Sequence, residues 1–440
     1  MTSSSSPILR PVLLLAMAVG MTSLIIVAYV LTRPDDRSLA NVPSHSPTGS
    51  AVTAPSAALP AASAEARPSA SGSAALPATA PPTTGPSATP AAEPTPSLPL
   101  LDDRPSDELR MKLETVIEGR INPKSIEASQ TGLFFAQNNV YQHSTTVYDR
   151  SFQLVDTLRD GVRLADHGFG RYDQEVQGGP VEAAFSPDGA RVYITQRSMY
   201  GPGFAHPAPL LDACGPSDGV DRSFIFEYDV ATLERKRVIQ VGSLPKDLTV
   251  TPDGRMLLVS NWCSYDLSVV DLAAGEEVER VVIGRYPRGI AVTSDSSVAY
   301  VAYLGSDEIM RVDLQTLRTR RIPDVGLYPR DVLISPDDRF LYISLDGGGA
   351  VVKVDTGSER VVARVATGAS PRSMVMAPDG RSIYVANYAS GTVSKVRTDD
   401  MEVIQRVRAG YHPIGITYDE ATRQVWVSMY PGTIRVYQEL

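Results

Sequence analysis

Short apolar runs separated by polar turn signals follow one another along the chain from residue 109 to its end. Prolines at 245, 287, 329, 371 and 413 are spaced by 42 residues, and each opens a run such as "PRGIAV" or "PRDVLI". A turn signal such as "TPDG" or "SPDD" follows, and then a second apolar run such as "AYVAY" or "IYVAN". Two further apolar runs complete each unit. Four short strands in a unit of about 40–50 residues are typical of one blade of a β-propeller.

Two earlier units and a strand before them complete the predicted ring. Pro123 opens "PKSIEASQTGLFFAQ" and Pro180 opens "PVEAAFSPDGARVYITQ", which gives seven unit starts. The unit that begins at Pro413 is too short to contain an outer strand, whereas residues 109–122 are similar to the outer strand of another unit, "EEVERVVIGRYP". We therefore predict an all-β, seven-bladed propeller over residues 109–440 that is closed by its N-terminal strand. We expect residues 101–108 to add little to its stability.

The chain before the repeats has a different composition. The 22 residues between Arg10 and Arg33 carry no charge, and a helix of that length can cross a bilayer. We predict a cytoplasmic stub and a transmembrane signal anchor over residues 1–33, with a cleaved signal peptide as the alternative. Residues 34–108 are rich in Pro, Ala, Ser and Thr, a composition that predicts a disordered linker.

The repeats resemble those of a known family. The stretches "SPDG" followed by "VYIT", and "APDGRSIYVAN", are similar to the YVTN-type β-propeller repeats of exported, surface-layer-like bacterial proteins. This resemblance covers residues 109–440 and implies the fold more strongly than any function, because the family includes surface-layer-like and binding proteins and resembles propeller domains inside enzymes. A WD40 propeller is less consistent with the chain, because the closing Trp-Asp pairs are absent.

The side of the membrane is not decided by charge, because Arg10 lies on one side of the apolar segment and Arg33 and Arg37 on the other. A Pro/Ser/Thr-rich linker and two cysteines that the repeats bring together favour an exported propeller. We predict a single-pass protein of the bacterial cell membrane with an extracytoplasmic propeller. The net charge of −9 argues against a general nucleic-acid binder. We expect a monomer that binds an anionic ligand or an envelope protein or polymer.

Basic residues recur directly after the opening prolines. Five of the seven positions are basic, the other two being Val181 and Ile414, and the basic residues are Lys124, Lys246, Arg288, Arg330 and Arg372. At the start of innermost strands they would gather at one mouth of the central channel. Two interpretations are open: an unneutralised ring that binds an anion, or ion pairs between neighbouring blades with the acids one residue further on. Those acids are Glu182, Asp247 and Asp331. The aromatic and histidine side chains expected beside a ligand on the same face are Trp262, Tyr286, Tyr328 and His412.

Two units are longer than the repeat. The surplus is 15 residues after Asp149 in the first unit and 23 residues before Asp229 in the second, and both insertions are expected on the face of the basic ring, where long loops commonly bind ligands. Cys214 lies in the second insertion and Cys263 in the equivalent loop of the next blade. We predict that they form a disulfide, with two free thiols as the alternative.

The remaining candidate chemistry is sparse. Outside the linker the histidines are His143, His167, His206 and His412. They show no metal-binding spacing, so we predict neither a metal nor a cofactor. No catalytic motif is present, and we predict a membrane-tethered module that binds a ligand or partner, with no catalytic residues assigned. Two alternatives stay open: a structural envelope protein, or a lactonase-like hydrolase that uses the same mouth. The latter is kept because some lactone-cleaving enzymes resemble this propeller and carry Pro-Arg at strand starts.

Overall fold

The computed structural model describes residues 103–139, 142–209, 212–430 and 432–440. The predicted anchor, residues 1–33, and the predicted linker as far as residue 102 lie outside the described residues. Within the described ranges, no helix is both long enough and apolar enough to cross a membrane.

Seven four-stranded antiparallel sheets form the seven predicted blades, numbered here in chain order. The innermost strands contact one another in a closed ring, and each begins at a predicted proline. The innermost strands are Pro123–Ala128, Pro180–Phe185, Pro245–Val250, Pro287–Val292, Pro329–Ile334, Pro371–Met376 and Pro413–Asp419. The second strands are Leu133–Asn138, Arg191–Gln196, Met256–Asn261, Val298–Tyr303, Phe340–Leu345, Ser382–Asn387 and Gln424–Met429.

The outer half of each blade is built from a third and an outermost strand. The third strands are Ser144–Asp149, Phe224–Asp229, Asp266–Asp271, Ile309–Asp313, Ala350–Asp355, Thr392–Arg397 and Thr433–Glu439. The outermost strands of blades 1 to 6 are Leu154–Arg159, Arg235–Gln240, Glu276–Val282, Thr319–Ile322, Arg360–Ala366 and Glu402–Arg408. In blade 7 the outermost strand is Met111–Glu118, from the N-terminal end of the propeller.

Burial explains the composition of the strands. The second strands lie between neighbouring blades, so both faces are covered; all six residues of Val298–Tyr303 are buried. The outermost strands have one covered face, and in Glu276–Val282 only Val281 is fully buried. Continuous apolar runs therefore mark second strands, and alternating runs mark outermost strands.

The turn after each innermost strand depends on a left-handed residue. Gly254 in "TPDG" has a φ of 71°, and its N–H donates to the carbonyl of Thr251 at 2.8 Å. The Asp253 carboxylate accepts the Thr251 hydroxyl at 2.6 Å. Glycine adopts this conformation at no steric cost, whereas Ser296 adopts it in blade 4 with a φ of 60°.

The N-terminal strand closes the ring as predicted. Met111 pairs with Glu439 and Glu118 with Thr433 in an antiparallel ladder that supplies the fourth strand of blade 7. Both ends of the propeller chain therefore lie in one sheet, and the third strand of that blade has no open edge.

The contacts of the N-terminal segment begin earlier than residue 109. A 3-10 helix, Ser106–Glu108, lies within the stretch predicted to be linker, and the Ser106 N–H donates to the Asp379 carboxylate at 2.7 Å. The Lys395 ammonium donates to the carbonyls of Ser106 and Leu109 and to the Glu439 carboxylate. Because the Lys395 and Glu439 side chains are 0% exposed, this lysine joins both chain ends to blade 6. The structure thus argues against the expectation that residues 101–108 add little to stability.

Both insertions occupy the predicted places and pack against blade 2. The first contains the hairpin strands Gly161–Arg163 and Glu175–Gln177 and the 3-10 helix Leu164–His167. The second contains the 3-10 helix Pro216–Asp218. The insertions contact each other where Tyr172 stacks on Phe204, with ring centroids 4.6 Å apart, and where Gln177 pairs with Tyr200. The two insertions therefore form one continuous cover over blade 2.

Replacing Lys395 with Met should lower the free energy of unfolding by about 3 kcal/mol, because it leaves the buried Glu439 carboxylate without its cation and removes the donor to Ser106 and Leu109. Chemical denaturation of the 103–440 fragment measures this. The matched control is Lys112→Met, since Lys112 is an exposed lysine on the closing strand. Equal stability of the two variants would show that the clamp around Lys395 is unimportant.

Candidate functional site

In blades 2 to 7, three chain positions build one mouth of the central channel: the residue before the opening proline, the residue after the proline, and the residue 17 positions after the proline. The third position donates its backbone N–H to the carbonyl of the first, which ties the loop between the second and third strands to the start of the innermost strand. These bonds join Trp262 to Leu244, Leu304 to Tyr286, Asp346 to Tyr328, Tyr388 to Ser370 and Tyr430 to His412, at 2.9–3.0 Å. In blade 2, Arg197 donates to Gly179 in the same way.

The residue before the proline is left-handed in five blades. The φ values are 57° at Leu244, 63° at Tyr286, 58° at Tyr328, 55° at Ser370 and 54° at His412. Side-chain-bearing residues adopt this region at an energetic cost of about 1–3 kcal/mol. The recurring cross-loop hydrogen bond is the interaction that offsets it.

The residue after the proline lies at an irregularity of the sheet. In every blade the pairing register between the first and second strands shifts directly after the proline, as between Pro245 and Asp247. A bulge of this kind redirects the side chain that it contains. This geometry turns the basic residues toward the channel.

A mouth cavity of about 250 Å³ collects the predicted residues. All five predicted cations line it, together with three predicted aromatic residues, and the set is Lys124, Lys246, Arg288, Arg330, Arg372, Trp262, Tyr286 and Tyr328. The fourth aromatic or histidine candidate behaves differently: the His412 ring stacks on Tyr388 with centroids 4.0 Å apart and is not among the lining residues. Burial, followed by the charge of Arg372, lowers the pKa of His412 to about 4.

Two of the five cations are neutralised by acids that sequence reasoning did not single out. The Lys246 ammonium pairs with the carboxylate of Asp212, which comes from the second insertion. Arg330 pairs with Asp346 at 3.0 Å, at the position 17 residues after Pro329. The 42-residue spacing could have identified Asp346, whereas the irregular insertion gives no register that would place Asp212.

The acids that directly follow the cations do not form the predicted pairs. The Asp331 carboxylate instead accepts the backbone N–H groups of Val332 at 2.9 Å and Met374 at 2.7 Å. The interpretation of internal pairing with Glu182, Asp247 and Asp331 is therefore wrong in its choice of partners. The physical reason is that these carboxylates lie further along the channel, where backbone donors reach them.

These acids and Glu127 line a second cavity of about 390 Å³, which adjoins the first through Arg288, Arg330 and Arg372. Burial and the charge of Asp247 raise the pKa of Glu182 to about 8. Burial also raises the pKa of Asp247 to about 6, and burial with the charge of Asp247 raises that of Asp331 to about 7. Because these carboxyl groups hold protons up to near-neutral pH, they balance the cations of the mouth only in part.

Three cations of the mouth cavity, Lys124, Arg288 and Arg372, form no ion pair within the described residues. Arg288 donates weakly to the Lys246 carbonyl at 3.4 Å. Arg372 lies over the ring of Tyr388, 3.5 Å from its centroid, and its Nε is buried without a partner. Burial, and then repulsion by Lys246 and the three arginines of the ring, hold the pKa of Lys124 well below its ordinary value. We call these three residues the unpaired cations.

Aromatic rings form one wall of the mouth cavity. Trp262 and Tyr286 stack with centroids 4.5 Å apart and planes 28° apart. The Trp262 ring centroid lies 5.6 Å from the Lys246 ammonium and 5.8 Å from the Arg288 guanidinium carbon. Charged donors beside an aromatic wall can bind a planar anion by hydrogen bonds at its edge and stacking on its face.

The predicted disulfide between Cys214 and Cys263 is confirmed, with Cα atoms 5.2 Å apart. It fixes the second insertion to blade 3 directly beside the cavity. The Tyr265 hydroxyl donates to the Cys214 carbonyl at 3.1 Å, and the Trp262 indole N–H donates to the Asp212 carbonyl at 2.7 Å. The insertion is thus held by covalent and backbone contacts.

The other candidate histidines, His143, His167 and His206, do not line the mouth cavity. His143 packs edge-on against Tyr200 with centroids 5.6 Å apart, and the backbone N–H of His206 donates to the Asp221 carboxylate. In the part of the chain that the structure describes, no group of three or more His, Cys, Asp or Glu residues could hold a metal ion.

Comparisons with known proteins agree with the fold. Residues 276–431 match the model of a family described as YncE-like beta-propeller, which confirms the resemblance to YVTN-type propellers. The matched stretch includes Arg288, Arg330 and Arg372 but neither insertion, and it excludes both cysteines. The match therefore runs from the outermost strand of blade 3 into blade 7, and both insertions lie outside it.

One similar solved structure is hydrazine synthase from Kuenenia stuttgartiensis. The two chains share 17% identity with a TM-score of 0.54, and the similarity covers 72% of this chain and 96% of that chain. Similarity at this level supports the propeller fold and carries no function. The search of curated proteins found no significant match.

Paired and unpaired cations should respond differently to removal of their charge. Arg330→Gln should lower the free energy of unfolding by about 3 kcal/mol, because it leaves the largely buried Asp346 without its cation. Arg288→Gln should leave stability unchanged or raise it, because it removes repulsion. Chemical denaturation at low salt measures both, and an equal loss in the two variants would contradict the distinction between paired and unpaired cations.

Proposed function

We propose that the protein is a binding module that captures a small polyanion in the mouth cavity. The observation that carries the proposal is the presence of three unpaired cations, Lys124, Arg288 and Arg372, around one cavity of about 250 Å³. Like charges this close to one another raise the free energy of the empty site. A bound anion relieves that repulsion and also supplies the missing acceptor for the buried Nε of Arg372.

The cavity indicates the chemistry of the ligand. Three unpaired cations match an anion with two or three negative charges, and the stacked Trp262 and Tyr286 rings match a planar body. Carboxylate, phosphate and sulfonate groups all offer acceptors to guanidinium and ammonium donors. The class is therefore a compact, flat polyanion of a size that fits about 250 Å³.

We further propose that the propeller works outside the cell membrane, held by the apolar segment of residues 1–33 through the Pro-rich linker. The composition of those segments supports this proposal. The described chain enters the propeller at Ser106, which contacts Asp379 in a turn that follows an innermost strand. That turn is at the opposite end of the channel from the opening prolines, so the entering chain does not cover the mouth cavity.

A lactonase-like hydrolase and a purely structural envelope protein were the alternatives from the sequence. None of the contacts in the described residues favours either, so we propose no reaction. Incubation with a panel of lactones separates the hydrolase from the binding module, since a binding module leaves the lactones intact.

The anchor proposal predicts that the full-length protein stays in the membrane fraction after a carbonate wash, because 22 uncharged and mainly apolar residues can span the hydrocarbon core. A variant that lacks residues 1–33 should be recovered in the soluble fraction. Immunoblotting of both fractions is the measurement. Recovery of full-length protein in the wash would contradict the proposal.

The binding proposal predicts that benzene-1,3-disulfonate binds the 103–440 fragment more tightly than benzenesulfonate, which has one charge, and than sulfate, which has no ring. The double variant Arg288→Gln with Arg372→Gln should weaken binding by at least about tenfold, because two charge-assisted contacts are lost. Added salt should reduce this difference by screening. Isothermal titration calorimetry measures all three probes.

The matched control for this experiment is Arg360→Gln, which removes an exposed arginine from the outermost strand of blade 5. It changes the net charge by the same amount as one mouth substitution but lies on the outer rim. If Arg360→Gln weakened binding as strongly as Arg288→Gln, attraction would be nonspecific and the mouth cavity would not be the site. An absence of binding by every probe would overturn the proposed function.

A further inference from the structure

The carboxylate of Asp212 occupies part of the mouth cavity as an acid that is not supplied by the blade repeat. One oxygen accepts the Lys246 ammonium and the other accepts the Arg197 guanidinium, with 2.6 Å between Asp212 Oδ1 and Arg197 Nη2. Lys246 is 3% exposed and Arg197 7% exposed, so both pairs are shielded from water. Although burial opposes ionisation, Lys246 and Arg197 hold the pKa of Asp212 below its ordinary range. The cavity therefore already contains one anionic group.

The position of Asp212 does not depend on its carboxylate alone. The Asp212 carbonyl accepts the Trp262 indole N–H at 2.7 Å, and the disulfide two residues further on joins Cys214 to Cys263. Arg197 donates in addition to the carbonyls of Ala208 and Pro209. Covalent and backbone contacts thus keep the insertion in place, and the charge of Asp212 is left for another role.

The backbone of Asp212 is left-handed, with a φ of 54°, a conformation that aspartate adopts more readily than most residues that bear side chains. The other acid of the cavity, Asp346, differs in origin: it lies in a regular blade loop and is also bonded by the Ser370 hydroxyl. Among the described residues, Asp212 is the one insertion acid that lines the mouth cavity.

We propose that Asp212 is a specificity-determining residue that acts as an internal anion, occupying Lys246 and thereby restricting the ligand to the unpaired cations Lys124, Arg288 and Arg372. In this arrangement a ligand group that approaches Lys246 meets the Asp212 carboxylate and is repelled. The insertion thereby selects the charge and the orientation of the ligand that can bind. The disulfide keeps the Asp212 carboxylate beside the ring of cations. This inference rests on the proposed function, since it concerns the same polyanion site.

The test is the substitution Asp212→Asn in the 103–440 fragment with its disulfide intact, because asparagine keeps the shape and the backbone contacts. Binding of benzene-1,3-disulfonate and benzene-1,3,5-trisulfonate is measured by calorimetry. We expect tighter binding of both probes, by about tenfold for the disulfonate and by more for the trisulfonate, because Lys246 becomes available for a charge-assisted hydrogen bond. The matched control is Glu279→Gln, an exposed acid on the outermost strand of blade 3, which should leave both affinities within about twofold.

A double variant tests the route through Lys246. When Lys246→Met is combined with Asp212→Asn, the gain in affinity should disappear, since the two residues are in contact and their effects are coupled. If Asp212→Asn fails to fold, as judged by its melting curve, Asp212→Ser takes its place with the same expected gain.

The outcomes separate the two proposals. In one outcome the parent protein binds the probes in a way that depends on Arg288, while both Asp212 variants bind them equally or more weakly. That outcome overturns the internal anion and leaves the proposed function standing. A gain that survives the loss of Lys246 also overturns the internal anion. Binding of the probes by Asp212→Asn but not by the parent overturns the proposed function of the natural protein, and with it the inference that rests on it. Failure of the parent and of both Asp212 variants to bind any probe overturns both proposals.

Discussion

One backbone hydrogen bond, repeated around the ring, organises the mouth of this propeller. In blades 2 to 7, the N–H of the residue 17 positions after the opening proline donates to the carbonyl of the residue before that proline, as between Asp346 and Tyr328 at 3.0 Å. This bond accompanies a left-handed residue, then a proline, then a bulge that carries the cation. Because the same backbone geometry recurs, cations from five blades meet in one cavity, and side chains at the three positions can vary without altering the scaffold.

The electrostatics of the mouth follow from that convergence. Repetition brings five cations together, but only Lys246 and Arg330 receive carboxylate partners. The neighbouring carboxyls of the channel repel one another and are buried, so the pKa of Glu182 rises to about 8, and their negative charge is reduced where it would otherwise balance the ring. The site combines a fixed scaffold with incomplete charge compensation, and this combination favours an anion from solution.

The repeat determined what could be read from the sequence. Proline spacing predicted the start of every innermost strand, the closing strand Met111–Glu118 and the blades that contribute cations, because each of these depends on a fixed register. Asp212 and the clamp around Lys395 could not be predicted, since both depend on segments outside the repeat whose path is set by tertiary contacts. The pairing of Arg330 with Asp346 was missed for a different reason: the expected partners were acids of neighbouring blades, whereas the cross-loop hydrogen bond brings the residue 17 positions after the proline close to the cation of its own blade.

The central claim is that an anion bound in the mouth stabilises the protonated form of basic groups that burial and mutual repulsion otherwise keep from full protonation. Burial lowers the pKa of Lys246 to about 7, and burial with repulsion by the ring holds that of Lys124 well below its ordinary value. A bound sulfonate, which does not itself titrate near neutral pH, should raise both pKa values and draw protons from solution. Calorimetric titration of the propeller with benzene-1,3-disulfonate at neutral pH, in buffers of different ionisation enthalpy, measures this directly. The account predicts net proton uptake, and binding enthalpies that show no uptake, or a release of protons, would contradict it.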